Sequence, residues 1–284
     1  MSLRAENIDL TIGRKTILQD VSFRARAGEI SAIVGPNGSG KSTLLKALVG
    51  ELPCKGQILL NSRQLADYAP WELATLRGVL PQATVLAFPF TVLEVVRLGL
   101  AAGPDANSAE LPFEALSRVG LDGYAGRFYQ ELSGGEQQRV QLARVLAQVW
   151  QPKRNGKPCW LFLDEPVSSL DIAHQLTVMD LAQRFAAEGG GVVAVMHDLN
   201  LTAMYADHIH VMAAGRSAGA GTVAEVMTDA RLMQVYGCPL RTGVVPPDAG
   251  IFVLPQTART AGTTAGMTAG KTAGMAPAMT VPGE

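Results

Sequence analysis

GPNGSGKST, Gly35–Thr43, lies between a short apolar run, EISAIV (Glu29–Val34), and STLLKALVG, where Leu44, Leu45, Ala47 and Leu48 recur at helical spacing before Gly50. That order predicts strand, glycine loop, helix. The spacing G-x-x-x-x-G-K-[ST] in this context is a phosphate cradle. The loop from Gly35 through Pro36, Asn37, Gly38, Ser39 and Gly40 turns backbone N–H groups and a helix N-terminus toward a β-phosphate. Lys41 reaches the β- and γ-phosphates, Ser42 offers its hydroxyl to Mg²⁺, and Thr43 completes the nucleotide-binding stretch. A glycine-rich turn that only joined strand to helix would have no use for the Lys-Ser pair.

A second chemical cluster ends another apolar strand. In CWLFLDEPVSSLD (Cys159–Asp171), Trp160–Leu163 run into two carboxylates, Asp164 and Glu165. The C-terminal end of such a strand is where α/β sheets place their ligands. Asp164 suits Mg²⁺, and Glu165 suits polarisation of a water for in-line attack on a γ-phosphate. A third strand, GGVVAVMHD, delivers His197, and Gln82 follows Val79 and Leu80 with an amide oxygen that reaches a metal ion or the attacking water.

ELSGGEQQRV, Glu131–Val140, is a second glycine-led helix start. Locally it reads as a capping box, with Ser133 as N-cap and Glu136 three residues later. Gly134 and Gly135 also permit close backbone approach to an anion.

These pieces, in this order, resemble the nucleotide-binding subunit of ABC transporters, and the resemblance runs from about Leu3 to Leu240. It implies an α/β P-loop NTPase core with an inserted helical subdomain, about residues 83–148, and an antiparallel β subdomain. It implies ATP and Mg²⁺ as ligands, with Ser42, Gln82 and Asp164 around the metal, Glu165 as general base and His197 as γ-phosphate sensor. It also implies that Ser133, Gly134, Gly135 and Glu136 close over the ATP of a second subunit, and that Asp171 crosses the dimer interface to couple the two sites.

Two features depart from the family pattern. The usual fifth signature residue is Gln, whereas here it is Glu136, whose charge Arg139 is placed to neutralise three residues on. The adenine-stacking aromatic has no counterpart in LTIGRKTIL (Leu10–Leu18), which offers Ile12 or the Arg14 guanidinium. Base selectivity between ATP and GTP stays open.

A finer resemblance follows from LAFPFTVLEVV (Leu86–Val96) and the long link VWQPKRNGKPCW (Val149–Trp160). Both look like the ATPases of bacterial hemin importers, in the wider group that takes up ferric siderophores and vitamin B12. This implies a homodimer on the cytoplasmic face of the inner membrane, beneath two copies of a transmembrane permease that a periplasmic binding protein supplies. Leu86–Thr91 is then a candidate docking surface for a permease helix, or a local packing of Phe88 and Phe90. Lys153, Arg154 and Lys157 read as a solvated loop.

Composition narrows the alternatives. The 284 residues are 48% hydrophobic and 17% charged, with 24 basic against 25 acidic residues, so no bulk charge attracts nucleic acid or anionic lipid. Three scattered cysteines support neither a disulfide framework nor a zinc site. No apolar run approaches the ~20 residues of a membrane span. One cassette without heptads argues against the soluble ABC ATPases of DNA repair and the ribosome. Intact Lys41, Asp164, Glu165 and His197 argue against an inactive scaffold, and a P-loop kinase would leave LSGGE and SSLD unexplained.

Helices are expected over Leu93–Leu100 and Ala109–Val119. The domain is expected to occupy residues 1–255, and Gln256–Glu284, with Thr-Ala-Gly recurring from Thr260, to be a disordered tail.

Overall fold

The structure is a computed structural model that describes residues 1–84, 86–101, 106–245, 250–251 and 253–258. The chain begins with β1 (Ser2–Ile12) and β2 (Lys15–Arg26), paired antiparallel. In β1 the buried residues Leu3, Ala5, Ile8 and Leu10 are interleaved with exposed polar ones, the pattern of a sheet with one dry face. β3 (Ile30–Val34) is buried at all five positions and leads through the Gly35–Gly40 loop into α1 (Lys41–Leu48). The chain returns to the antiparallel sheet with β4 (Lys55–Leu60) and β5 (Arg63–Gln64), giving the order β2-β1-β4-β5.

After α2 (Pro70–Leu76) and β6 (Arg77–Leu80) come three helices: α3 (Val92–Leu100), α4 (Leu111–Arg118) and α5 (Gly134–Gln148). The first and last of these start with capping boxes, Thr91 with Glu94 and Ser133 with Glu136, so each helix is fixed at its N-terminus by its own sequence. α3 lies so close to α5 that a Cβ on Gly99 would sit 2.0 Å from the Arg144 carbonyl oxygen.

β7 (Lys153–Arg154) and β8 (Lys157–Pro158) form a small hairpin. The expected solvated loop is therefore ordered at its base. Asn155 and Gly156, at φ 49° and 74°, make its two-residue turn, an Asn-Gly signal present in the sequence.

The remainder is β9 (Trp160–Asp164), α6 (Ile172–Ala187), β10 (Gly191–Val195), α7 (Leu199–Tyr205), β11 (His208–Ala213), β12 (Arg216–Gly221), α8 (Val223–Val226) and α9 (Asp229–Tyr236). The central sheet has the order β12-β11-β3-β10-β9-β6, parallel except for β12. Alternate residues of its buried strands feed two cores. Ile30, Ala32, Val34, Leu161, Leu163, Val192 and Ala194 join the core that includes α3–α6, while Ile33, Trp160, Phe162, Val193 and Val195 join that of α1 and the antiparallel sheet.

Because β3, β6, β9 and β10 are parallel, Val34, Leu80, Asp164 and Val195 all finish at one edge. The four segments that the sequence marks as chemical follow those four residues, so the sheet itself gathers them.

The helices expected over Leu93–Leu100 and Ala109–Val119 appear as α3 and α4 with ends shifted by one or two residues. Of the expected tail only Gln256–Ala258 are described. Pro255–Thr257 form a single helical turn that packs on α7, with the Gln256 amide 3.4 Å from the Asn200 carbonyl, and residues 259–284 lie outside the described residues.

Replacing Gly99 by Ala should cost about 1–3 kcal/mol, since overpacking two backbones outweighs the gain in helix propensity of up to about 1 kcal/mol. Urea unfolding would read this as a lower midpoint at unchanged slope; a midpoint equal to or above wild type would contradict the close packing.

Candidate functional site

The phosphate loop is seated against β11. Gly35, at φ 147°, has the Met212 carbonyl oxygen 2.1 Å from where a Cβ would project, so no side chain fits. The turn after β11 backs the loop, with the Gly215 N–H donating to the Ser39 carbonyl at 3.1 Å. Gly40, at φ 99°, caps α1, and Lys41 is its first residue. Lys41 is buried at 5% exposure, and its ammonium donates to the carbonyls of Gly35 (2.9 Å) and Pro36 (3.1 Å). Burial lowers its pKa, opposed by the negative charges of Glu165 and Asp164.

Ser42 donates its hydroxyl to Asp164 Oδ1 at 2.9 Å, joining the loop to the end of β9. Asp164 is buried, and desolvation raises its carboxyl above the usual range; the Ser42 hydrogen bond, Lys46 and Lys41 oppose this, and Glu165 adds to it.

Glu165 stands at φ 53°, the left-handed region that costs a non-glycine residue about 1–3 kcal/mol unless its surroundings over-determine it. They do. Its N–H donates to the Val195 carbonyl at 3.2 Å, and its carbonyl accepts from the Ser168 hydroxyl at 3.2 Å. The carboxylate accepts the Gln82 amide at 2.9 Å through Oε2 and lies 2.5 Å from His197 Nε2 through Oε1. Gln82, Glu165 and His197 thus form one hydrogen-bonded cluster.

This cluster lines a cavity of about 780 Å³ together with Asn37, Gly38, Gly40, Lys41, Ser42 and Thr43. Small-molecule pockets commonly span about 300–1,000 Å³, so a nucleoside triphosphate fits its volume, and Gly38 leaves the loop's open face unobstructed. The groups that could hold a magnesium ion are the Ser42 hydroxyl and the Gln82 amide oxygen on the cavity wall, with the Asp164 carboxylate, which does not line the cavity, hydrogen-bonded to Ser42. Among the described residues no cluster of three His, Cys, Asp or Glu side chains is present. A site with one carboxylate suits Mg²⁺ that is bound together with substrate phosphates rather than held alone.

Ile12 and Arg14 do not line the cavity, whereas Lys15 and Ile17 do. Gly13 and Arg14 make the β1–β2 turn itself, and the lining residues begin at Lys15, the first residue of β2.

Ser133, Gly134, Gly135, Glu136 and Asp171 lie outside this cavity. Ser133 and Gly134 are exposed at the start of α5, and Asp171 is exposed as N-cap of α6. The Glu136 carboxylate is taken up locally. It accepts the Ser133 N–H and hydroxyl, both at 2.8 Å, and the Tyr124 hydroxyl at 2.9 Å, and these bonds lower its pKa, the Ser133 hydroxyl contributing most. Arg139 does not pair with it as expected. Its guanidinium donates to the Val119 and Gly120 carbonyls, both at 3.1 Å, where the C-terminal end of α4 leaves acceptors free. Asp171 accepts the N–H and ring Nδ1 of His174, which hold its carboxyl below the usual range.

Residues 18–168 match the ABC transporter family. This chain belongs to that family. It is 77% identical over 259 residues to a hemin import ATP-binding protein of a Ruegeria species, covering 91% of this chain and 100% of that relative. It is 60% identical over 260 residues to a hemin import ATP-binding protein of a Jannaschia species, covering 92% and 96%. Among solved structures, a dimeric bacterial ABC transporter cassette superposes with a TM-score of 0.68 at 27% identity, over 78% of this chain and 98% of the other. The fold is therefore that of an ABC ATPase cassette.

Since Asp164 binds its proton more tightly in the folded than in the unfolded chain, its ionised form lowers stability as pH rises through the raised value. Asp164→Asn should leave the nucleotide-free protein at pH 7 at least as stable as wild type, while Mg·ATP no longer raises its melting temperature. A variant that melts lower without nucleotide, or keeps its Mg·ATP shift, would contradict this assignment.

Proposed function

We propose that this chain is the ATP-hydrolysing subunit of a hemin importer, a peripheral protein on the cytoplasmic face of the inner membrane. The observation that carries the chemistry is the convergence of Lys41, Ser42, Gln82, Glu165 and His197 on one cavity. The substrate rests on the hemin import proteins to which the chain is similar along nearly its whole length. Ferric siderophore and vitamin B12 importers remain the second reading, which no observation favours. Among the described residues no helix is long and apolar enough to cross a membrane, so passage belongs to a separate permease.

The residues divide the work. The Gly35–Gly40 loop and Lys41 neutralise the β- and γ-phosphates. Ser42, Asp164 and Gln82 would hold Mg²⁺, which would supply further charge neutralisation there. Glu165 accepts the proton of the attacking water, and His197, hydrogen-bonded to it, orients that carboxylate and contacts the γ-phosphate. The two partners hold Glu165 on the cavity wall before substrate arrives, which is preorganisation.

The exposed Ser133–Gly135 segment serves a second copy of the chain. In a two-fold dimer its exposed helix start faces the partner's γ-phosphate, the Ser133 hydroxyl exchanging the Glu136 carboxylate for that phosphate, and Asp171 lies at the same interface. Charge-assisted hydrogen bonds contribute roughly 1.5–3 kcal/mol each, and symmetry doubles them, so bound ATP holds the dimer closed and hydrolysis releases it.

Residues from about 83 to 148, with α3, α4 and α5, form the helical subdomain that meets the permease. Phe88 is 68% exposed and edge-on to Phe90 at 6.4 Å, while Phe90 packs on the core. Phe90 thus anchors the segment and Phe88 presents an apolar contact to a permease helix. Two permease copies, supplied by a periplasmic binding protein, complete the assembly, and nucleic acid has no place in it.

Glu165→Gln should lower kcat about 10²- to 10⁴-fold while ATP binding persists. A loss below tenfold would remove Glu165 as the base. With the permease in liposomes, hemin-loaded binding protein should stimulate ATP hydrolysis, and siderophore- or vitamin B12-loaded protein should not. The reverse ranking would replace the substrate and leave the ATPase mechanism intact.

A further inference from the structure

The Glu165 carbonyl has another donor, and it comes from the helix that faces the partner. Gln138, in the second turn of α5, donates its Nε2 to that carbonyl at 3.1 Å. The carbonyl also accepts the Ser168 hydroxyl at 3.2 Å and the Ser168 N–H at 3.3 Å. It is therefore gripped from its own loop and from α5. The other end of the Gln138 amide, Oε1, is buried without a hydrogen-bond partner among the described residues. An orphaned acceptor is a cost that a helix-surface Gln avoids by turning outward, so the single bond to Glu165 is what fixes this side chain.

Gln138 is five residues from Ser133, and the intervening backbone is capped helix, about 7.5 Å of stiff rod at 1.5 Å per residue. The same helix start is braced on the loop beyond Glu165: a Cβ on Gly135 would meet the Ser169 carbonyl at 3.2 Å and the Leu170 side chain at 3.3 Å. A displacement of the Ser133–Gly135 end therefore reaches residues 165–170 through two contacts. One is steric, and the other is the directed hydrogen bond of Gln138.

We propose that Gln138 is a positioning residue for the ATPase reaction, holding Glu165 in its left-handed backbone and transmitting the state of the partner-facing end of α5 to the carboxylate of the same chain. Contact with the partner's nucleotide thereby sets the base in the chain's own site. This rests on the reading of Glu165 as base and of Ser133–Gly135 as the partner-facing element.

The surroundings make the side chain testable. Gln138 lines a cavity of about 180 Å³ between α5 and residues 80–84, in which Tyr129 is the ionisable lining group, its pKa raised by burial. The Glu165 carboxylate points the other way, to Gln82 and His197. Gln138→Met keeps the bulk and removes the donor. Gln138→Glu keeps the shape but donates to the carbonyl only when protonated.

Both variants should lower kcat about 10- to 100-fold, the scale of a small misplacement of a catalytic group, with KM for ATP changed less than twofold. The kcat of Gln138→Glu relative to wild type, measured at each pH so that the pH dependence common to both proteins cancels, should rise as pH falls from 8 to 5.5. The Gln138→Met ratio should stay flat. Wild-type kcat in both variants, or parallel flat ratios, would overturn the proposal, as would a loss that follows KM. Melting curves separate misfolding from mispositioning, and a variant that fails to fold leaves the other to decide. If Glu165→Gln retains turnover, the reading of the site has failed instead, so the two failures are distinguishable.

Discussion

Glu165 uses every polar group it has. Its N–H ties the end of β9 to the end of β10, its carbonyl accepts from the following loop and from α5, and its carboxylate holds Gln82 and His197. A non-glycine residue in the left-handed region persists only under such over-determination. Loosening one bond therefore shifts the load onto the others, and five segments of the chain register the position of one carboxylate.

A second constraint is electrostatic. Lys41, which lines the cavity, and Asp164, hydrogen-bonded behind Ser42, are both buried, and burial disfavours the charged form of each. Backbone carbonyls compensate the lysine and the Ser42 hydroxyl compensates the aspartate. A bound phosphate would pair with the lysine, and a divalent cation with the aspartate. A site built in this way favours binding of nucleotide and metal together over either alone.

Much of this was legible because the motifs carry their own geometry. The G-x-x-x-x-G-K-S spacing required strand, loop and helix, and the buried runs at Ile30–Val34, Trp160–Asp164 and Gly191–Val195 required a parallel sheet whose ends meet. The capping box at Ser133 was equally local. Long-range pairings were not. Arg139 lies one turn from Glu136, yet the free carbonyls of α4 claim it, and nothing at the sequence level ranks those acceptors. Lys15 and Ile17, rather than Ile12 and Arg14, line the cavity, and nothing local separates Ile12 from Lys15, its partner across the β1–β2 turn. Gln138 carried no signal of its own, since its partner is a backbone carbonyl 27 residues away. The Asn155-Gly156 hairpin was readable from its turn residues, and the charges around it hid the signal.

The central claim is that each ATP site is shared, the phosphate loop coming from one chain and the Ser133–Gly135 helix start from its partner. Sedimentation of the Glu165→Gln protein, with and without Mg·ATP, tests it most directly, alongside the same protein carrying Ser133→Arg. The account predicts a dimer with Mg·ATP that is a monomer without nucleotide, and no ATP-driven dimer once Ser133 is replaced. A protein that binds Mg·ATP and stays monomeric, or one whose dimer ignores the Ser133 change, would contradict it.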